Sequence, residues 1–199
     1  GINTDMNKAN KNEAQAKSMR SYLLSDKRFL HEAGFYYVDT QIEPWCTPER
    51  LAHHAHPDVS FTDRVALEPV AAICRSAFLH GRFHRDFNIE RARADRRYEN
   101  WRAQLHAAGR VIGLLFKDEV AGFIAHADGA LVLHAMGEPH RGRGLARYFW
   151  SAVCRDLFAR GHAELRSSIS FTNIAVINLY SALGFRFRNP VDIYHRMVP

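Results

Sequence analysis

The sequence has no apolar run long enough to cross a bilayer, and its opening Gly1-Ile2-Asn3 lacks the charged, apolar and small-residue regions of a signal peptide. A cytoplasmic location is the expectation that follows. Cysteine is scarce: Cys46, Cys74 and Cys154 are odd in number, widely spaced and set among apolar residues, which points to buried free thiols rather than disulfides or a zinc site. The glycine-rich stretch lacks both the Gly-Lys-Ser/Thr ending of a P-loop and the third glycine of a dinucleotide fingerprint, so nucleotide hydrolysis is disfavoured. An RNA-binding aromatic signature and helix-turn-helix spacing are also missing, which leaves nucleic acid as a minor alternative.

What is present describes a folded chain. At 199 residues there is enough length for one well-buried domain with a smaller addition, and 47% hydrophobic with 24% charged residues excludes wholesale disorder. The net charge of +6 attracts phosphate-bearing partners of any kind: nucleic acid, a coenzyme or a nucleotide sugar. Histidine is abundant, with His53-His54-Ala55-His56 in one run and His80 and His84 one helical turn apart. Neither group has a carboxylate or cysteine at ligand spacing, so no metal is assigned.

Three regions emerge along the chain. Residues 1–18 hold almost nothing apolar and are expected to be a disordered tail. Residues 19–57 read as an N-terminal appendage, a helix from Met19 through Leu30 closed by Gly34 and followed by a strand Phe35–Val38. Residues 58–199 form the main body, with Val59-Ser60-Phe61, a helix Leu67–Phe78, an aromatic-basic loop His80–Phe87 and a helix Ile89–Ala107. Strands Val111–Phe116, Val120–His126 and Ala130–Met136 then make an antiparallel meander, with turns at Lys117-Asp118-Glu119 and Asp128-Gly129. A helix to Arg160, a strand Glu164–Ser170, a helix Ile174–Leu183 and two strands near Phe185–Phe187 and Val191–Met197 complete the body. The expected class is α/β: a mixed, mostly antiparallel central sheet with helices on both faces, plus the small helix–strand appendage. The units Phe29–Phe35 and Leu179–Phe185 each join a helix end, a glycine and an aromatic residue, which would fit a degenerate internal repeat or a generic helix–strand unit.

The most informative string is Met136-Gly137-Glu138-Pro139-His140-Arg141-Gly142-Arg143-Gly144-Leu145-Ala146, between a strand and an amphipathic helix. Backbone N–H groups at a helix start point at an incoming anion, and glycines let a pyrophosphate approach the main chain. Leu145, Phe149, Val153 and Leu157 give that helix the apolar stripe that holds it to the sheet.

With Arg141, Gly144 and Ala146 at its defining positions, this string resembles the Q/R-x-x-G-x-G/A motif of the GNAT acyltransferases, which binds the CoA pyrophosphate. The later Asn173-Ile174-Ala175-Val176-Ile177-Asn178-Leu179-Tyr180 with Leu183-Gly184-Phe185 is similar to the family's N-x-x-A-x-x-x-Y and L-G-F elements. The resemblance implies the GNAT fold and acetyl-CoA as cosubstrate, with direct transfer to an amine and no covalent enzyme intermediate. Arg141, Gly142, Arg143, Gly144, Leu145 and Ala146 would then cradle the pyrophosphate. Ala135 and Met136 would offer backbone groups to the thioester and pantetheine. Asn173 would either reach the pantetheine or cap its helix. Tyr180, a phenol with a reference pKa near 10, would protonate the departing thiolate; the alternative is a packed aromatic. His134 would be a general base or a structural histidine.

For the acceptor, Arg82-Phe83-His84-Arg85-Asp86-Phe87-Asn88-Ile89 with Ala94-Asp95, Tyr98 and Trp101 resembles the pattern of dTDP-fucosamine and related nucleotide-sugar N-acetyltransferases. Gly34-Phe35 with Val38-Asp39-Thr40 resembles their G-F-x-x-V-D-T. Arg82 and Arg85 would pair with phosphates, with Phe83 and Asp86 in the same loop. The alternatives are a protein, peptide or small-amine N-acetyltransferase and, outside enzymes, a CoA-binding sensor or a nucleic-acid-binding module. Oligomeric state stays open.

Overall fold

The computed structural model describes residues 15–77 and 86–198. In chain order these form β1 (Gln15–Tyr22), α1 (Arg28–Glu32), β2 (Tyr36–Cys46), β3 (Val59–Thr62), α2 (Leu67–Ala77), α3 (Arg91–Ala107), β4 (Val111–Phe116), β5 (Glu119–Ala127) and β6 (Ala130–Met136). They continue with α4 (Ala146–Ala159), β7 (Leu165–Ser167), β8 (Ile169–Ser170), α5 (Ile174–Ala182) and β9 (Arg186–Val198). One sheet holds all the strands in the order β1-β9-β2-β7-β6-β5-β4-β3, with β8 also on β2. Every pairing is antiparallel except β6 with β7.

The meander follows from its turns and its apolar content. Lys117 and Asp118 both take positive φ, as do Asp128 and Gly129, the pair of left-handed residues that a tight two-residue hairpin with the strands' own twist requires. β4 is buried on both faces from Val111 to Leu114 because helices cover the sheet on both sides. On one face α4 and α5 bury Phe149, Trp150, Val153, Leu157 and Tyr180 against Ile112, Leu114 and Ile124. On the other, α2 and α3 bury Val70, Ile73, Cys74 and Leu105 against Phe123, Ala125 and Leu133. Each such fully buried side chain contributes about 1.5–3 kcal/mol. Cys46, Cys74 and Cys154 are all buried free thiols.

The N-terminal part departs most from expectation. Where the apolar spacing predicts a helix from Met19, the chain forms β1, because β9 offers an edge on which eight residues pair in unbroken register from Gln15↔Val198 to Tyr22↔Val191. Long-range pairing overrides a local periodicity that only weakly favours a helix. The expected helix survives as the short α1, and the expected tail yields its last residues to β1. β2, drawn from the segment read as an appendage, lies inside the sheet between β9 and β7.

The two final strands are one, β9, kinked where Asn189 takes φ 52 and where its register with β2 shifts between Gln41 and Glu43. The helix–aromatic units at the two ends close alike. Phe35 N–H bonds the Leu30 carbonyl and Phe185 N–H bonds the Tyr180 carbonyl, each before a strand of the same antiparallel pair.

Candidate active site

β6 and β7 pair only at Ala130↔Arg166 and Leu131↔Ser167. Beyond that point β7 and β8 stay with β2 while β6 stays with β5, so the two parallel strands part. A cavity of about 970 Å³ runs along the gap, a size suited to a large cofactor-like ligand. The parting coincides with a bulge: the β5–β6 register shifts between Ala125↔Leu133 and His126↔Leu131. After it, Leu133 and Ala135 face the α2–α3 side, whereas His134 turns to the α4–α5 side against Trp150 and Tyr180.

One end of the gap is closed by the glycine loop. Gly137 N–H bonds the Ala121 carbonyl, a short 3-10 turn spans Glu138–His140, and Arg141 then clamps the loop down. Its Nε donates to the Met136 carbonyl at 2.8 Å and its Nη2 to Ser76 Oγ at 3.2 Å. Gly142 and Gly144 take φ of +68 and +69, and a Cβ at either would project into open space apart from Arg147 Nη2 at 3.5 Å from Gly144. α4 starts without a side-chain cap and without an acidic residue in its first turn. Its leading N–H groups and the positive end of its dipole therefore meet the cavity where Gly142, Gly144, Leu145 and Ala146 line it. Arg143 turns outward over the Phe116 ring.

Ala135, Met136, His134 and Asn173 also line the cavity. Asn173 Oδ1 accepts the Val176 N–H at 3.3 Å, so it caps α5 as well as facing the gap. Tyr180 is 0% exposed and lies behind the lining, its hydroxyl 3.0 Å from His134 Nε2. Burial holds both groups neutral: it pushes the phenol up and brings the imidazole down to about 4.

The opposite half of the cavity is lined by Arg97, Tyr98 and Trp101 of α3, and Arg20 of β1 and Asp39 of β2 line the cavity as well. Of the acceptor residues expected from sequence, Arg82, Phe83 and Arg85 lie outside the described residues. Asp86 is placed away from the gap. Buried at 2% exposure, it accepts from Tyr36 Oη at 2.7 Å, bonds His195 Nδ1 at 2.8 Å and accepts the Asn88 N–H at 2.9 Å, fixing the start of α3 to β2 and β9. Asp39 and Ser170, which meet in the cavity wall, were singled out by nothing in the sequence beyond Asp39 standing in Val38-Asp39-Thr40.

A family model described as FR47-like protein matches residues 111–192, from β4 into β9. A search of the curated proteins finds no match. Among solved structures, a GCN5-related N-acetyltransferase from Sphaerobacter thermophilus is similar with a TM-score of 0.63 and 13% identity, over 92% of this chain and 60% of that one. A tandem GNAT protein from the clavulanic acid biosynthesis pathway is similar with a TM-score of 0.57 and 13% identity, over 94% of this chain and 65% of that one. A GCN5-related N-acetyltransferase from Kribbella flavida gives a TM-score of 0.54 and 17% identity, over 84% of this chain and 62% of that one. The chain thus spans less than two thirds of the length of each of these three structures. At such identities the likeness concerns architecture. On architecture and matched segment together, the chain is a GNAT-fold protein carrying an FR47-like segment over residues 111–192.

Proposed function

We propose that the chain is an N-acetyltransferase that moves an acetyl group from acetyl-CoA directly to a primary amine, the amino group of a nucleotide-linked amino sugar. The observation that carries the transferase reading is the uncapped start of α4 behind an open glycine loop, at the end of a gap between parting parallel strands. A pyrophosphate fits that loop, and an acyl-pantetheine arm fits the gap, where one edge of β6 has no β7 partner beyond Leu131. The nucleotide-sugar reading draws on the other half of the cavity, which joins cations, Arg20 and Arg97, with the rings of Tyr98 and Trp101 and with the carboxylate of Asp39. Phosphates match the first, a base or sugar ring the second, an ammonium the third.

The amine nitrogen bonds to the thioester carbonyl carbon as the C–S bond breaks. The sulfur needs a proton, and Tyr180 is its source. The phenol stays protonated at neutral pH, and its hydroxyl meets the His134 imidazole that lines the gap, so the proton reaches sulfur through His134. The new amide sheds its proton to solvent, and the phenol regains one through His134, which lines the gap. His134 thereby serves the leaving group; its side chain turns away from the α3 half where the amine would enter.

The test is calorimetry with acetyl-CoA followed by mass analysis of products from dTDP- and UDP-amino sugars, the corresponding free sugars and amine-terminated peptides. Acetylated nucleotide sugar with released CoA is the expected result. Efficient peptide acetylation without it replaces the acceptor and keeps the transferase, and absence of acetyl-CoA binding overturns the whole reading.

A further inference from the structure

The Tyr180 hydroxyl sits among neutral groups. His134 Nε2 is 3.0 Å from it, and the imidazole in turn meets the Trp150 indole in an edge contact, with 5.2 Å between ring centroids. Ser167 Oγ donates to the Leu131 carbonyl at 2.7 Å, at the last β6–β7 pair, so its proton is already committed. Cys154, which also acts on the phenol, is a thiol that burial keeps protonated. With no water in contact, a phenolate formed here is costly unless a donor turns to it.

Trp150 holds such a donor. The residue is 2% exposed, and its Nε1 is enclosed and bonds nothing. A buried N–H without an acceptor destabilises the resting fold. The indole nevertheless lies close enough to the phenol oxygen to favour its ionised form, as the Ser167 hydroxyl does. Its place is set by α4: Trp150 stands four residues, one turn, beyond Ala146, and both line the cavity. Phe149 and Val153 seat that helix in the core. A donor left unsatisfied by the phenol and within reach of the phenolate favours the charged state over the neutral one, and only such a difference lowers a barrier.

We propose that Trp150 is a positioning residue for departure of the thiolate, acting through Tyr180; the proposal rests on the transferase reading above. As the C–S bond breaks, its electron pair goes to sulfur, sulfur takes a proton from His134, and His134 takes the phenol proton of Tyr180. The phenolate oxygen left behind accepts the Trp150 N–H, a bond that the resting protein does not make. When His134 returns a proton to the phenolate, that bond is released and the site is reset.

Two replacements remove the donor. Trp150→Phe keeps an aromatic ring against His134. Benzothienylalanine at position 150 keeps the shape of the indole with sulfur in place of the N–H, and reads the same loss if the smaller ring unsettles the core. The assay uses acetyl-CoA with UDP-glucosamine, or with the amine that the product panel above shows to be acetylated. Each replacement is expected to lower kcat roughly 10- to 100-fold and to leave the acetyl-CoA dissociation constant and the acceptor KM unchanged. In a Tyr180→Phe background the same replacements should add little, because the group they act through is gone. A second readout needs no turnover. With a polyfluorinated tyrosine at position 180, whose more acidic phenol brings ionisation down toward neutral pH, absorbance and fluorine NMR follow the titration. Removing the N–H should raise that pKa by about 1, a tenfold loss of phenolate. A role in packing alone would lower Tm and leave the titration where it was. Unchanged kcat in both variants, losses that multiply with Tyr180→Phe, or a phenol pKa that does not move would overturn the proposal. Absence of acetyl-CoA binding or of any acetylated product would instead strike the transferase reading, and the titration would still judge the Trp150 contact by itself.

Discussion

Replacing Gly144 by alanine separates what the glycine does for the fold from what it does for the ligand. Its φ of +69 is a conformation that an L side chain adopts at a cost of about 1–2 kcal/mol. The surroundings add little, since the new Cβ would have only the flexible Arg147 Nη2 at 3.5 Å and otherwise open space. Stability should therefore fall by about 1–2 kcal/mol, a shift of a few degrees in Tm for a domain of this size. Coenzyme affinity should fall further, because the methyl group stands where a phosphate must approach the leading N–H groups of α4, and relaxation of the loop would re-aim those donors. A loss of 2–3 kcal/mol there is roughly 30- to 150-fold in the dissociation constant. Gly184→Ala serves as the contrast: its φ is +86 and the new Cβ would run into the Arg50 carbonyl oxygen, so it should unfold the segment rather than act on the ligand. The assay is calorimetry with acetyl-CoA beside thermal unfolding. Equal affinity of Gly144→Ala and the unsubstituted protein would refute the phosphate site, and a collapse of Tm like that of Gly184→Ala would refute the claim that the loop is open.

Tyr180→Phe should lower kcat about 10²-fold with little change in acetyl-CoA affinity, and should cost about 1–3 kcal/mol of stability by stranding a buried His134 nitrogen; stopped assays and denaturant titration read the two, and full turnover would make Tyr180 a packing residue. His134 makes stability depend on acid. Its folded pKa of about 4 lies below the unfolded value near 6.5, so the unfolded chain takes the proton first and stability falls as pH drops from about 6.5 to 4, by up to about 3 kcal/mol. Denaturant titrations across that window should show a steeper fall for the unsubstituted protein than for His134→Gln, and parallel slopes would exclude His134 as the source.

The parts of the molecule legible in the sequence are those whose cause is local. The meander could be read because each turn needs left-handed residues and each strand is a short apolar run, and β4 and β6 begin and end where those signals put them. The glycine loop could be read because its cause is local: two glycines standing between a strand and an amphipathic helix, both of which take positive φ in the turn that joins them. β1 could not, since the spacing of Met19 and Tyr22 within it and Leu23 just past it fits a helix, and only the distant edge of β9 makes it a strand. The break of the predicted strand Glu164–Ser170 into β7 and β8 was equally hidden, because it depends on where β2 takes over the pairing.

The same distinction governs the site. The proposed coenzyme half draws on one continuous stretch, Ala135 through Ala146, with Asn173 close behind, so sequence order preserves the arrangement. The acceptor half is assembled from β1, β2, β8 and α3, four segments that sequence spacing cannot relate. Asp39 shows why. In sequence it is one acid just past a short predicted strand of the N-terminal segment; what brings it to the cavity wall is that β2 is seated between β9 and β7, beside the strand that leaves β6. If that N-terminal segment were an appendage, its removal would spare the site. Because β2 forms one wall of the gap and holds β7 and β8 away from β6, the segment is as much a part of the candidate active site as the glycine loop is.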